Sequence, residues 1–202
     1  MTDFEQEMES APDNIQQKPE QAVSSFRVEF RIWARDIFIA LALAMVIIVF
    51  LYQPVKVEGT SMAPLLSDQE RIFINKFVYR VEAIERGDVV VFWYPVDPTK
   101  SFIKRVIGLP GEIVEITNGR VLVNGTPLDE PYVPPQFVDR HSFGPARVPP
   151  GQYFVLGDHR SSSNDSRVFG FVPSGLIYGK AVFVYWPVER FGTIPASASE
   201  LK

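Results

Sequence analysis

A serine at position 61 lies in "VEGTSMAP" (residues 57–64), between Thr60 and Met62, with Gly59 before it and Pro64 after. A serine hydroxyl is a weak nucleophile until a neighbouring base removes its proton. The chain has no cysteine and two histidines, His141 and His159. Thiol catalysis, disulfides and cysteine-ligated zinc are therefore excluded, and two histidines are too few for a His-rich metal site. Two bases remain for Ser61. Lys104, in "SFIKRVIGL", qualifies if an apolar pocket desolvates it, because burial disfavours the ammonium and leaves a neutral amine near pH 7. The bland alternative is a strand lysine pointing to solvent. His159 is the competitor, with Asp158 or Asp165 to orient its ring, although adjacent Asp158 is badly placed for that across a tight turn.

The stretch "GDHRSSSNDSR" (residues 157–167) is dense in short polar side chains. Such residues satisfy backbone groups in turns by default. Asp158, Arg160, Asp165 and Arg167 could also pair as ions and stiffen the loop, and a serine there could orient a neutral lysine. Spacing alone leaves these readings open. On a strand, Ile103 and Val106 are expected on the face opposite Lys104, with Arg105 either solvated or ion-paired.

These residues need a scaffold. Residues 1–25 are rich in Glu, Gln, Asp, Ser and Pro and read as a disordered tail. Residues 26–53 read as a membrane-flanking segment and one transmembrane helix. Phe26, Phe30 and Trp33 recur at helical intervals among Arg27, Arg31 and Arg35, and the core, residues 37–52, has no charge, glycine or proline. That core makes a helix of about 24 Å, short of a hydrocarbon layer of roughly 30 Å. Trp33 and Tyr52 suit the interfaces, and Arg35 can snorkel. A helix apolar all round beside three arginines fits a bilayer better than a protein core. No A-x-A-like cleavage site follows Tyr52, so the helix reads as an uncleaved anchor. The arginines before it, against Lys56 alone close after it, place the N-terminus in the cytoplasm and everything after Gln53 outside.

Residues 54–194 read as one mainly β domain with little helix, followed by a flexible tail over 195–202. "RIFINKFVYR" and "DVVVFWYP" are rich in β-branched and aromatic residues. In "GEIVEITNGRVLVNG", Asn118-Gly119 predicts a type I′ hairpin and Asn124-Gly125 the next turn. Residues 128–151 contain six prolines and read as an extended, irregular excursion. The net charge of −4, with no basic patch interleaved with aromatics, argues against nucleic acid as a partner.

Taken together and in order after one anchor, "GTSMAP", "RGDVVVF", "IKRVIGLPGE" and "GDHRSSSNDSR" closely resemble the type I (leader) signal peptidases of bacteria, over about residues 27–187. The resemblance implies an antiparallel β-sheet domain of the kind shared with self-cleaving repressors, behind one transmembrane helix. It implies a Ser-Lys endopeptidase, with Ser61 the nucleophile and Lys104 the general base. Ser163 would orient Lys104, Asp165 and Arg167 would brace the site, and Asp158 and Arg160 would support the loop. Val57, Met62, Leu66, Phe102 and Ile103 would line two shallow pockets for small residues at the first and third positions before the cut. No cofactor or metal is implied. The substrates would be secreted preproteins, met at a lipid bilayer near the export translocon, in a bacterial plasma membrane or a thylakoid membrane.

Two departures qualify the resemblance. His159 and Ser162 stand where that loop usually carries other residues, asparagine at the first. Gly59 stands where some relatives carry a serine that helps stabilise the oxyanion, so backbone N–H groups, that of Ser61 included, must serve; one donor is typically worth about 3 kcal/mol in the transition state. The alternative from another class is a catalytically inactive anchored domain that only binds extended signal sequences.

Overall fold

The computed structural model of the protein describes residues 20–195, which form two compact units divided after Ile47. Residues 1–19 and 196–202, most of the two expected tails, lie outside the described residues. Residues 20–25, expected to be disordered, are helical: α1 runs Glu20–Leu51. Within it Val28–Leu51, 24 residues, is long and apolar enough to cross a membrane. That stretch spans about 36 Å, but its first nine residues carry Glu29, Arg31, Arg35 and Asp36, so the uncharged helical run is residues 37–51 and the charged turns before it lie at the interface. Arg35 pairs with Asp36 at 2.9 Å, and both side chains remain exposed. Tyr52, expected as the last helical residue, instead opens a strand.

The second unit is antiparallel β throughout. Its strands are β1 (Tyr52–Lys56), β2 (Arg71–Asn75), β3 (Val89–Trp93), β4 (Ser101–Gly108), β5 (Ile113–Thr117) and β6 (Arg120–Val123). They continue with β7 (Thr126–Pro127), β8 (Phe143–Arg147), β9 (Gln152–Leu156), β10 (Val172–Pro173), β11 (Ile177–Trp186) and β12 (Gly192–Thr193). The larger sheet runs β1-β2-β11-β3-β4-β9-β10, with β12 paired to β11, and the smaller runs β7-β6-β5-β8. The only α-helices here are single turns, α2 (Val78–Val81) and α3 (Ser166–Phe169), among the described residues.

The run "VVVF" in β3 is apolar without alternation because this central strand is buried on both faces. Val89 and Val91 pack into a core with Val57, Met62, Leu66, Ile72 and Ile74, whereas Val90 and Phe92 pack into another with Val106, Val155 and Ile177. A third core, including Val114, Val121 and Phe154, lies between the smaller sheet and β9. The hairpin signals hold: Asn118 and Gly119 have φ of 51° and 81°, and Asn124 and Gly125 have 51° and 78°. Both turns then need residues that tolerate the left-handed region, which Asn and Gly do.

The proline-rich excursion is more ordered than its composition suggests. It contributes β8, which pairs with β5 and carries Pro145 on the rim of its sheet, where no further strand requires the missing N–H. Ile103 and Val106 do not share a face. They are three residues apart on a strand, so their side chains diverge: Ile103 packs toward Val57 and Met62, and Val106 toward Phe92.

Candidate active site

Ser61 lies in the turn between β1 and β2. Gly59 enters that turn with φ of 91°, which a residue with a Cβ rarely adopts, and its N–H donates to Asp68 Oδ1 at 2.7 Å. Immediately after the serine the chain is tied down. Met62 and Leu66 are buried, and the Leu66 N–H donates to Met62 O at 2.9 Å. Arg190 donates to the carbonyls of Pro64 and Leu65 while pairing with Glu70. Ser61 thus sits between a glycine turn and a fixed exit, so the backbone on both sides of it sets its position.

Lys104 projects from β4, and only 4% of it is exposed. Its Nζ donates to Ser61 Oγ at 2.7 Å and to Ile103 O at 3.0 Å, and lies 5.2 Å from the centre of the Phe102 ring. Burial pushes this amine down from its ordinary 10.5 to about 8, while the carboxylates of Asp165 and Asp158 pull it part of the way back. Lys104 is therefore the desolvated lysine of the two sequence alternatives, and its nearest side-chain oxygen is that of Ser61.

His159 is not placed to serve as the base. Its Nδ1 meets Thr60 O at 3.2 Å, and its ring packs on Phe137 with centroids 4.1 Å apart. What it does supply is a backbone tie, its N–H donating to Ser61 O at 3.0 Å. Gly157 makes that tie possible. A Cβ there would lie 2.4 Å from Ser61 O and 2.3 Å from Ser163 Oγ, so only glycine lets the two loops approach.

The remaining loop residues are ion-paired. Asp158, fully buried, accepts both Nε and Nη2 of Arg105 at 2.9 and 2.8 Å. Asp165, also fully buried, caps α3 by accepting the Arg167 N–H, takes the Gly157 N–H at 3.1 Å, and pairs with the Arg167 side chain at 2.8 Å. Arg160 pairs with Glu130 and donates Nε to Gly157 O. Ser163 departs from expectation: its hydroxyl is buried without a hydrogen-bond partner, and Lys104 bonds elsewhere.

A cavity of about 290 Å³ opens beside Ser61 and Lys104. Val57, Met62, Phe102 and Ile103 line it, as expected, but Leu66 does not; it is wholly buried in the core beneath the turn. The sequence reading missed Val55, Lys56, Glu58, Val91, Ser101 and Asn164 in the lining. Period-two spacing from Val57 would have found Val55. Two strand edges flank this cleft. β1 is the terminal strand of its sheet, and β9 pairs with β4 only from Arg105 onward, leaving Ser101, Phe102 and Ile103 unpaired on that side. Among the described residues no group of three His, Asp or Glu side chains could hold a metal ion.

Comparison with known proteins gives consistent matches. The family model described as "Signal peptidase, peptidase S26" matches residues 30–186. A signal peptidase I of Leptolyngbya laminosa is 40% identical over 170 residues, covering 79% of this chain and 81% of that protein. One from Bacillus amyloliquefaciens is 41% identical over 184 residues, covering 85% of this chain and 94% of its own length. A probable signal peptidase I-2 of Synechocystis sp. is 42% identical over 167 residues, covering 79% and 74%.

Proposed function

The chain belongs to the signal peptidase family, peptidase S26, and we propose that it is a membrane-anchored serine endopeptidase that removes signal peptides from exported preproteins with a Ser61–Lys104 dyad. The observation that carries the reading is the 2.7 Å contact between Lys104 Nζ and Ser61 Oγ, made by an amine whose burial holds it near 8. In its neutral form that amine accepts the hydroxyl proton instead of donating. Ser61 Oγ attacks the scissile carbonyl, the amine returns the proton to the leaving nitrogen, and an acyl-enzyme remains. Lys104 next takes a proton from water, whose oxygen attacks the ester carbon and frees Ser61. Backbone N–H groups at the turn, that of Ser61 among them, receive the developing oxyanion.

The substrate lies extended in the cleft, adding backbone hydrogen bonds to the free edges at β1 and at residues 101–103. Val57, Met62, Phe102 and Ile103 give the cleft apolar walls, and these are assigned to take the small side chains at the first and third positions before the cut. Ser163 is assigned to steer Lys104 during turnover. Asp158, Arg160, Asp165 and Arg167 hold the loop from which it acts.

Val28–Leu51 crosses the membrane once, with the arginine-flanked end in the cytoplasm and residues 54–194 outside, close to the translocated preprotein and its export machinery. Whether that membrane is the plasma membrane or a thylakoid does not alter the chemistry. Replacing Ser61 by Ala and, separately, Lys104 by Ala tests the function. Uncut preprotein with either variant in detergent is the expected result, and normal processing by either one defeats the proposal.

A further inference from the structure

Four side chains from one stretch of the proline-rich excursion reach the polar groups behind Lys104. Tyr132 lies under Arg105, whose guanidinium carbon is 4.1 Å from the ring centre, and the Tyr132 hydroxyl donates to Glu130 Oε1 at 3.0 Å. Glu130 pairs with Arg160, with Oε2 taking Nη1 at 3.1 Å. Phe137 packs against the His159 ring. Asp139 Oδ2 accepts Arg167 Nη1 at 2.8 Å. The Gly119 turn closes over the far end, where a Cβ would come within 2.6 Å of Asp139 O.

We propose that residues 130–139 form a positioning strap for the active site: they hold the three arginines that surround Asp158 and Asp165, and thereby fix the charge that Lys104 meets. The three cations are not interchangeable in this arrangement. Arg105 neutralises Asp158 and Arg167 neutralises Asp165, while Arg160 ties the two halves together, its carbonyl accepting Arg167 Nη2 at 2.7 Å. Arg160 is itself 4% exposed and answers to Glu130. A buried guanidinium without its carboxylate would leave surplus positive charge behind the site. The charged groups facing Lys104 are thus Asp158 and Asp165 with their arginines, and, across the cleft, Lys56 and Glu58 in the lining from the β1 side. The strap touches the first set and not the second.

The catalytic meaning of the strap rests on the proposed role of Lys104, but the charge state of that lysine is observable whether or not it is the base. The experiment is a carbon-13 titration of the Lys104 Cε resonance in the full-length protein in detergent micelles, for the parent and for Asp139→Asn and Glu130→Gln. Each substitution removes one negative charge beyond the nearest counter-ions, so the midpoint falls, by on the order of half a pH unit. Glu130→Asp, which keeps the charge, returns the midpoint toward the parent value. Asp139→Asn decides the matter if Glu130→Gln fails to fold, since Arg167 keeps Asp165 in that variant. His141, the other partner of Asp139, is exposed and is not among the groups that face Lys104. An Asp139→Asn midpoint equal to the parent's, or higher, overturns the strap. Cleavage by Lys104→Ala would instead defeat the proposed function and leave the strap's effect on Lys104 standing.

Discussion

Replacing Lys104 by Met separates what the fold wants at this position from what the chemistry wants. In the folded protein Lys104 titrates near 8, against 10.5 when unburied. At about 1.36 kcal/mol per pH unit, holding the ammonium in the fold costs about 3 kcal/mol. A folded value depressed below the unfolded one means that the unfolded chain binds more protons between pH 8 and 10.5, so stability rises with pH across that window. The penalty is full below about pH 8 and gone above about 10.5. Methionine fills similar space without charge, and it forfeits the bonds to Ser61 Oγ and Ile103 O, together a loss of about 1–2 kcal/mol. The net expectation at pH 7 is an inactive variant more stable than the parent by about 1–2 kcal/mol, with the advantage shrinking toward pH 10.5. Urea unfolding of both full-length proteins in detergent, followed by fluorescence of Trp93 and Trp186, measures the difference at pH 7 and pH 10. A variant less stable than the parent at pH 7, or a difference independent of pH, refutes the reasoning.

Three other outcomes follow from the same geometry. Gly157→Ala places a methyl 2.4 Å from Ser61 O, so cleavage drops by about 100-fold or more while the β domain remains folded, as read by circular dichroism and preprotein turnover. Ser163→Ala removes a buried hydroxyl with no partner, so stability holds or improves by up to about 1 kcal/mol while turnover falls at least about 10-fold if that hydroxyl steers Lys104. Equal activity in that variant would remove Ser163 from the mechanism. Asp158→Ala takes the carboxylate from the buried guanidinium of Arg105, which keeps its bond to Gly87 O, and destabilises the fold by about 3 kcal/mol, visible as a large drop in the midpoint of urea unfolding.

What could be read from the sequence depended on whether the physical cause was local. Asn118-Gly119 and Asn124-Gly125 declare their turns because φ above zero restricts the residue type at that position. The unbroken apolar run of β3 declares burial on two faces. Lys104 remained open between solvent and pocket, because a lysine has the same identity in both, and only the sheet carries it to within 2.7 Å of a serine 43 positions away. The resemblance places Leu66 in the cleft, but the turn linking Met62 to Leu66 directs it into the core. The strap was the least legible part. Glu130 and Arg160 are 30 residues apart with no periodicity between them, and six prolines made the intervening chain look irregular when it is pinned by side chains.

The central claim is that neutral Lys104 takes the proton of Ser61. The pH dependence of kcat/KM for preprotein cleavage tests it most directly, because that profile reports the free enzyme's essential base. With a midpoint near 8, about a tenth of the amine is neutral at pH 7 and half at pH 8, so the rate rises about fivefold over that interval and levels off above pH 9. An acid limb near 6.5, the ordinary range of histidine, or a rate still climbing at pH 10 as for an unburied lysine, would contradict the account.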